Sequence, residues 1–130
     1  MAVRFSSSRG QAAVEFALVL PILLLLVTGI IDFGMLFLTK SQVEAASAMG
    51  ARMVTLGTGT TTMKNDVVAD YPGTNVDDPS YYPTDAVGDD VTVTVYKEYH
   101  ILTPIIASFF PSGVTVTSST TMVVEEVPPS

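Results

Sequence analysis

Few residues of this 130-residue chain could do chemistry, and they do not converge. His100 is the only histidine, and it follows a strand-like run. A lone histidine in such a place is far more often a surface or packing residue than a catalyst. No serine sits in a nucleophile-elbow pattern, and no glycine run could cradle a phosphate. The absence of cysteine removes disulfides, thiolate zinc sites and cysteine nucleophiles. Asp77, Asp78, Asp85, Asp89 and Asp90 crowd one segment. Their spacing is not the periodic ligand pattern of a calcium loop, so a solvated acidic loop is the simpler reading. The expectation is a protein that is not an enzyme, with no metal and no cofactor.

Two other carboxylates are placed more pointedly. Glu15 opens an apolar passage, "EFALVLPILLLLVTGI", and Asp32 interrupts its far end. A carboxylate entering lipid is costly and usually has a purpose. Glu15 lies four residues after Gln11, so the two share a helical face. The bland reading of Glu15 is a hydrated group at the headgroup boundary. Asp32 has two readings: it marks the outer end of a membrane span, or it lies within the bilayer and pairs with a helix of a partner subunit. Gly29 and Gly34 flank it and thin the helix, which suits close helix–helix contact.

The element that must position these groups is a long helix. Residues 16–31 carry no charge, and the apolar stretch reaches residue 38 if Asp32 is tolerated. Both lengths are near the roughly 20 helical residues that span a hydrocarbon core. Pro21 removes the bond to the Ala17 carbonyl and predicts a kink. Beyond the apolar run, Val43, Ala46, Gly50 and Met53 recur at helical spacing, and these mostly small residues let another backbone approach. Gly57 is the expected terminator. A helix from Gln11 to Leu56 would be roughly 70 Å long. That is about twice the thickness of a bilayer core, so its second half needs cover from the rest of the chain.

The remainder supplies that cover. "TTMKNDVVADY" predicts a short helix with Met63, Val67 and Val68 on one side. "PGTNVDDPSYYPTDAVGDD" reads as a loop. "VTVTVYKEY" and "GVTVTSSTTMVVEE" alternate as half-buried strands. Between them, "HILTPIIASFFPSG" is apolar, broken by Pro104 and Pro111, and too short to span a membrane. It reads as a wide connection whose apolar residues pack against something. Two strands alone are marginal in water, so the long helix is expected to lie across them.

Composition narrows the partners. Mean hydropathy is +0.44, high for a soluble domain of this size. The net charge is −7, and the acidic excess falls after residue 39. So acidic a body argues against nucleic acid, which requires clustered Lys and Arg, and against an anionic membrane surface.

Three readings compete for the start of the chain. A secretory signal peptide would use Ala46-Ser47-Ala48 as its small-residue site, but would discard a helix suited to packing. A plain signal anchor leaves Glu15 unexplained. The third reading rests on "RGQAAVEFALVLP", which resembles a type IV prepilin signal: a basic leader ending in Gly10, a glutamate at the fifth position counted from Gln11, then a long apolar helix. More narrowly, Arg9-Gly10, Ala13-Val14-Glu15-Phe16-Ala17, Pro21, Gly29-Ile30-Ile31-Asp32-Phe33-Gly34 and the Ala-rich stretch ending Ala51-Arg52 resemble TadE-like proteins, minor pseudopilins of tight-adherence (Flp-type) pilus systems.

The resemblance implies a division into a 1–10 leader, an 11–57 helix with a span at about 16–38, and a 58–130 extracytoplasmic domain. The implied fold is α+β: a long N-terminal transmembrane helix continuing into a small extracytoplasmic domain with a β-hairpin. A prepilin peptidase would cut between Gly10 and Gln11, and Glu15 would pair with the amino terminus of a neighbouring subunit. Pro21 is the kink, and Gly29, Asp32, Gly34, Ala46 and Gly50 are the candidate helix–helix contacts. The implied partners are the peptidase, other pilins or pseudopilins, the inner-membrane assembly platform and membrane lipid. The implied place is the inner membrane, single-pass, with the amino terminus cytoplasmic. The alternative is a single-pass anchored extracytoplasmic accessory or sensor protein of unrelated role.

Overall fold

The structure is a computed structural model that describes residues 8–80 and 87–125. Most of the expected leader (1–7), loop residues 81–86 with Asp85, and the tail from Glu126 lie outside the described residues.

One helix dominates. α1, Ser8–Thr55, runs 48 residues without interruption at Pro21, about 72 Å at 1.5 Å per residue. Its end is closed by Gly57, whose φ of +81° is the left-handed conformation that glycine adopts at little cost. Thr58 N–H donates to Met53 O at 2.9 Å and Gly57 N–H to Val54 O at 3.0 Å, the paired bonds of a Schellman terminus. α1 is the one helix among the described residues long and apolar enough to cross a membrane, and its most apolar stretch is not covered by the rest of the chain.

The second half of α1 is covered. α2, Thr60–Asp70, follows a four-residue connection and folds back on it. The sheet is antiparallel in the order β1-β2-β3, with β1 at Asn75–Val76, β2 at Asp90–Tyr99 and β3 at Val114–Val123. β2 and β3 pair over their full length from Asp90↔Val123 to Tyr99↔Val114. The hairpin thus gains a third, short strand from the segment expected to be loop, in which Asn75 pairs with Tyr96 and Val76 with Val95. A one-turn helix, α3 at Pro104–Ala107, lies in the β2–β3 connection.

Strand alternation sorts the two sheet faces. Val91, Val93 and Val95 are fully buried with Val43, Ala46, Ala51, Val54, Met63 and Val67. The opposite face carries hydroxyl pairs, Thr92–Thr121 at 2.7 Å and Thr94–Ser119 at 2.8 Å. Val68, expected beside Met63 and Val67, is 42% exposed instead. The core row is Met63, Val67 and Tyr71 at i, i+4 spacing, and Val68 lies roughly 100° around the helix from Val67.

Gly50 marks the closest approach. A Cβ there would stand 3.0 Å from Val93 Cγ1 and 3.2 Å from Met63 Sδ, whereas one on Gly34 would meet nothing within 4 Å. Gly50→Leu should therefore destabilise the domain by about 1–3 kcal/mol through overpacking. Gly34→Leu should leave it unchanged. Thermal unfolding of the detergent-solubilised variants checks both, and equal melting temperatures would refute the packing account.

Candidate functional site

Gly10, Gln11 and Glu15 all lie within the first turns of α1, on a fully exposed helix. Gln11 Nε2 donates to Glu15 Oε1 at 3.3 Å, one turn apart. The shared face expected from spacing is thus present, and a neutral amide is the neighbour of the carboxylate within the chain. The Gly10–Gln11 bond lies where the first helical N–H groups have no intrahelical acceptors. Glycine there also weakens the helix locally.

Asp32 is a different case. It is 7% exposed, although residues around it on the helix face outward. Oδ1 accepts from Tyr99 OH and from Leu102 N–H, each at 2.8 Å. Oδ2 accepts from Thr103 N–H at 2.9 Å and from the Thr103 hydroxyl. A carboxylate has about four lone-pair sites, so the four donors fill it from within its own chain. Burial pushes the Tyr99 phenol above its ordinary pKa, and the Asp32 bond and charge act in the same direction, so Tyr99 stays a donor.

Each donor is positioned by a local rule. Register places Tyr99 on the same sheet face as Val91, Val93 and Val95, pointing toward α1. Thr103 precedes Pro104 at the start of α3, where proline has no N–H to satisfy. The Thr103 hydroxyl makes no cap bond to α3; it is turned to Asp32 instead. Between this clamp and the core, Lys97 Nζ donates to Gln42 Oε1 at 3.3 Å and to Pro72 O at 2.9 Å. Ser47, fully buried, meets Thr120 Oγ1 at 2.8 Å and Ser118 Oγ at 3.2 Å.

The other expected positions divide. Ala46 and Gly50 face the chain's own core, and Gly50 approaches Met63 and Val67 of α2, a helix–helix contact within the molecule. Gly29 and Gly34 have open space where a side chain would be. Pro21 borders a shallow groove with Leu24, Leu25 and Thr28, closed on the other side by Thr103, Pro104 and Ile105. His100 is exposed, and Asp78 pairs with Lys64 at 2.6 Å. Among the described residues, no group of three or more His, Asp or Glu is placed to hold a metal.

Residues 10–52 match the family model for TadE-like proteins. Over that stretch, about a third of the chain, it is similar to the TadE-like family. The match begins at Gly10 and ends at Arg52, within α1, so it includes Glu15, Asp32 and the helix surface that carries the domain. The apolar part of α1 has the length and composition of a membrane anchor. Neither the curated proteins nor the solved structures compared with the chain give a match.

Sequence reasoning left Tyr99, Leu102 and Thr103 without a role. The available signals were the period of β2 and the Thr-Pro pair, a helix start in an apolar segment. Asp32→Ala should release the β2–β3 connection, and exchange at the Leu102 and Thr103 amides should accelerate roughly tenfold or more, because both lose a charged acceptor. Hydrogen exchange on the solubilised protein checks this, and unaltered protection at both amides would refute the clamp.

Proposed function

We propose that this TadE-like chain is a minor pseudopilin-like structural component that supports assembly of an adhesive type IV (tight-adherence) pilus. The observation that carries the reading is the coincidence of the family match with an exposed apolar helix that opens on Gly10, Gln11 and Glu15. The protein acts by lateral helix packing in the inner membrane and performs no catalysis. Its amino terminus is cytoplasmic and its acidic domain is extracytoplasmic. Its partners are a prepilin peptidase, other pilins or pseudopilins, and the assembly platform.

Glu15 pairs with the amino terminus of a neighbouring subunit. Cleavage after Gly10 creates that α-amino group on Gln11, and in a low-dielectric setting the two charges attract far more strongly than in water. Gly34, exposed and with open space at the Cβ position, supplies helix surface for a neighbouring subunit. Retention of the helix is supported by its packing. Ala46 and Ser47, the alternative cleavage region, are fully buried against the domain, so a cut there would remove one wall of the core.

Sequencing the mature amino terminus tests the reading. Gln11 is the expected first residue. Met1 or Ala2 would remove the processing step, and Met49 would establish a secretory signal peptide. Glu15→Ala should insert and fold normally while piliation is largely lost. Normal piliation in that variant would refute the pairing role.

A further inference from the structure

We propose that the β2–β3 connection is a second membrane-inserted element, whose apolar side chains enter the hydrocarbon of the leaflet nearer the C-terminal domain. The inference rests on the reading of α1 as a membrane span and adds a lipid-binding surface to the small domain.

Position along the helix is the first argument. Thr103, Pro104 and Ile105 border Pro21, Leu24, Leu25 and Thr28. Ile101, Ile106 and Phe110 border Gly29, Asp32, Phe33 and Leu36. The connection therefore flanks α1 on the Pro21 side of Asp32, across a shallow groove from the apolar stretch. Whatever medium surrounds that part of α1 surrounds the connection too.

Surface chemistry is the second. Residues 101–113 contain no charged side chain. Leu102, Ile105, Phe109 and Phe110 are 65%, 59%, 76% and 50% exposed. This apolar cluster is continuous with the exposed apolar surface of α1 beside it. A water-facing loop would not carry such a patch.

The backbone is the third. Irregular chain at membrane depth is tolerated only where its polar groups are satisfied within the protein. Leu102 and Thr103 donate to Asp32. Ala107, Ser108, Phe109 and Phe110 donate to carbonyls of the same segment. Pro104 and Pro111 have no N–H to satisfy, and the Ser108 hydroxyl bonds Ile105 O at 2.7 Å. Asp32 is then the internal acceptor that lets two irregular N–H groups leave water.

Because the chain lacks tryptophan, single-tryptophan variants of the full chain are clean probes. Phe109→Trp, Ile22→Trp and Val87→Trp would be reconstituted in phosphatidylcholine vesicles with acyl-chain bromines. Phe109→Trp should emit to the blue and be strongly quenched by bromine, as should Ile22→Trp on α1. Val87→Trp, in the turn before β2, should not be quenched. Leu102→Trp provides the same reading if Phe109→Trp does not fold. Quenching at residue 22 without quenching at 109 or 102 would overturn the insertion and leave the span intact. A blue-shifted but unquenched signal at those positions would overturn it in favour of a protein contact. No quenching at any position would overturn both readings.

Discussion

A helix of about 72 Å cannot satisfy one environment along its whole length, since a bilayer core is roughly 30 Å thick. Every other feature of the molecule answers that constraint. The first half keeps its side chains outward and apolar. The second half turns one face of small residues, Ala46, Ser47, Gly50 and Ala51, to a sheet and a short helix. Those elements could not hold together alone, because three strands of which one has two residues offer little apolar area. The second half of the helix is therefore a wall of the core.

The junction between the halves is polar at three levels. Ser47 with Ser118 and Thr120, Lys97 with Gln42, and Asp32 with Tyr99, Leu102 and Thr103 form successive contacts down α1. Apolar packing alone specifies register weakly between a helix and a sheet, whereas a buried carboxylate has one set of donors that satisfies it. Asp32 ties the far end of β2 to a fixed height on the helix. The connection beyond it then follows α1 along an apolar surface rather than turning into solvent. The domain covers one face of the helix and leaves Glu15, near its start, and Gly34, two residues past Asp32, uncovered.

Local periodicity made much of this legible. The apolar run and the spacing of Val43, Ala46, Gly50 and Met53 specified one long helix with a packed second half, and Gly57 marked its end. Alternation in 91–96 sorted the β2 faces correctly. The misses share one physical cause. Val68 lies at the edge of the α2 core row, where spacing alone cannot decide between Val68 and Tyr71. Asn75–Val76 is too short and polar to carry a strand pattern and exists because β2 offers it an edge. The small face of Ala46 and Gly50 signalled close approach without naming what approaches, and that proved to be the chain's own β2 and α2.

The sequence by itself determined the long apolar helix and the two main strands, because each depends on residues near one another in the chain. The partner of Asp32 was decided only by tertiary structure. Its donors lie 67 to 71 residues away, and an acceptor's type says that donors are needed without saying which. Only when β2 pairs with β3 and packs on α1 do Tyr99, Leu102 and Thr103 arrive at one carboxylate, and a residue that read as a charge in an apolar run becomes the point where the domain is fastened to the long helix.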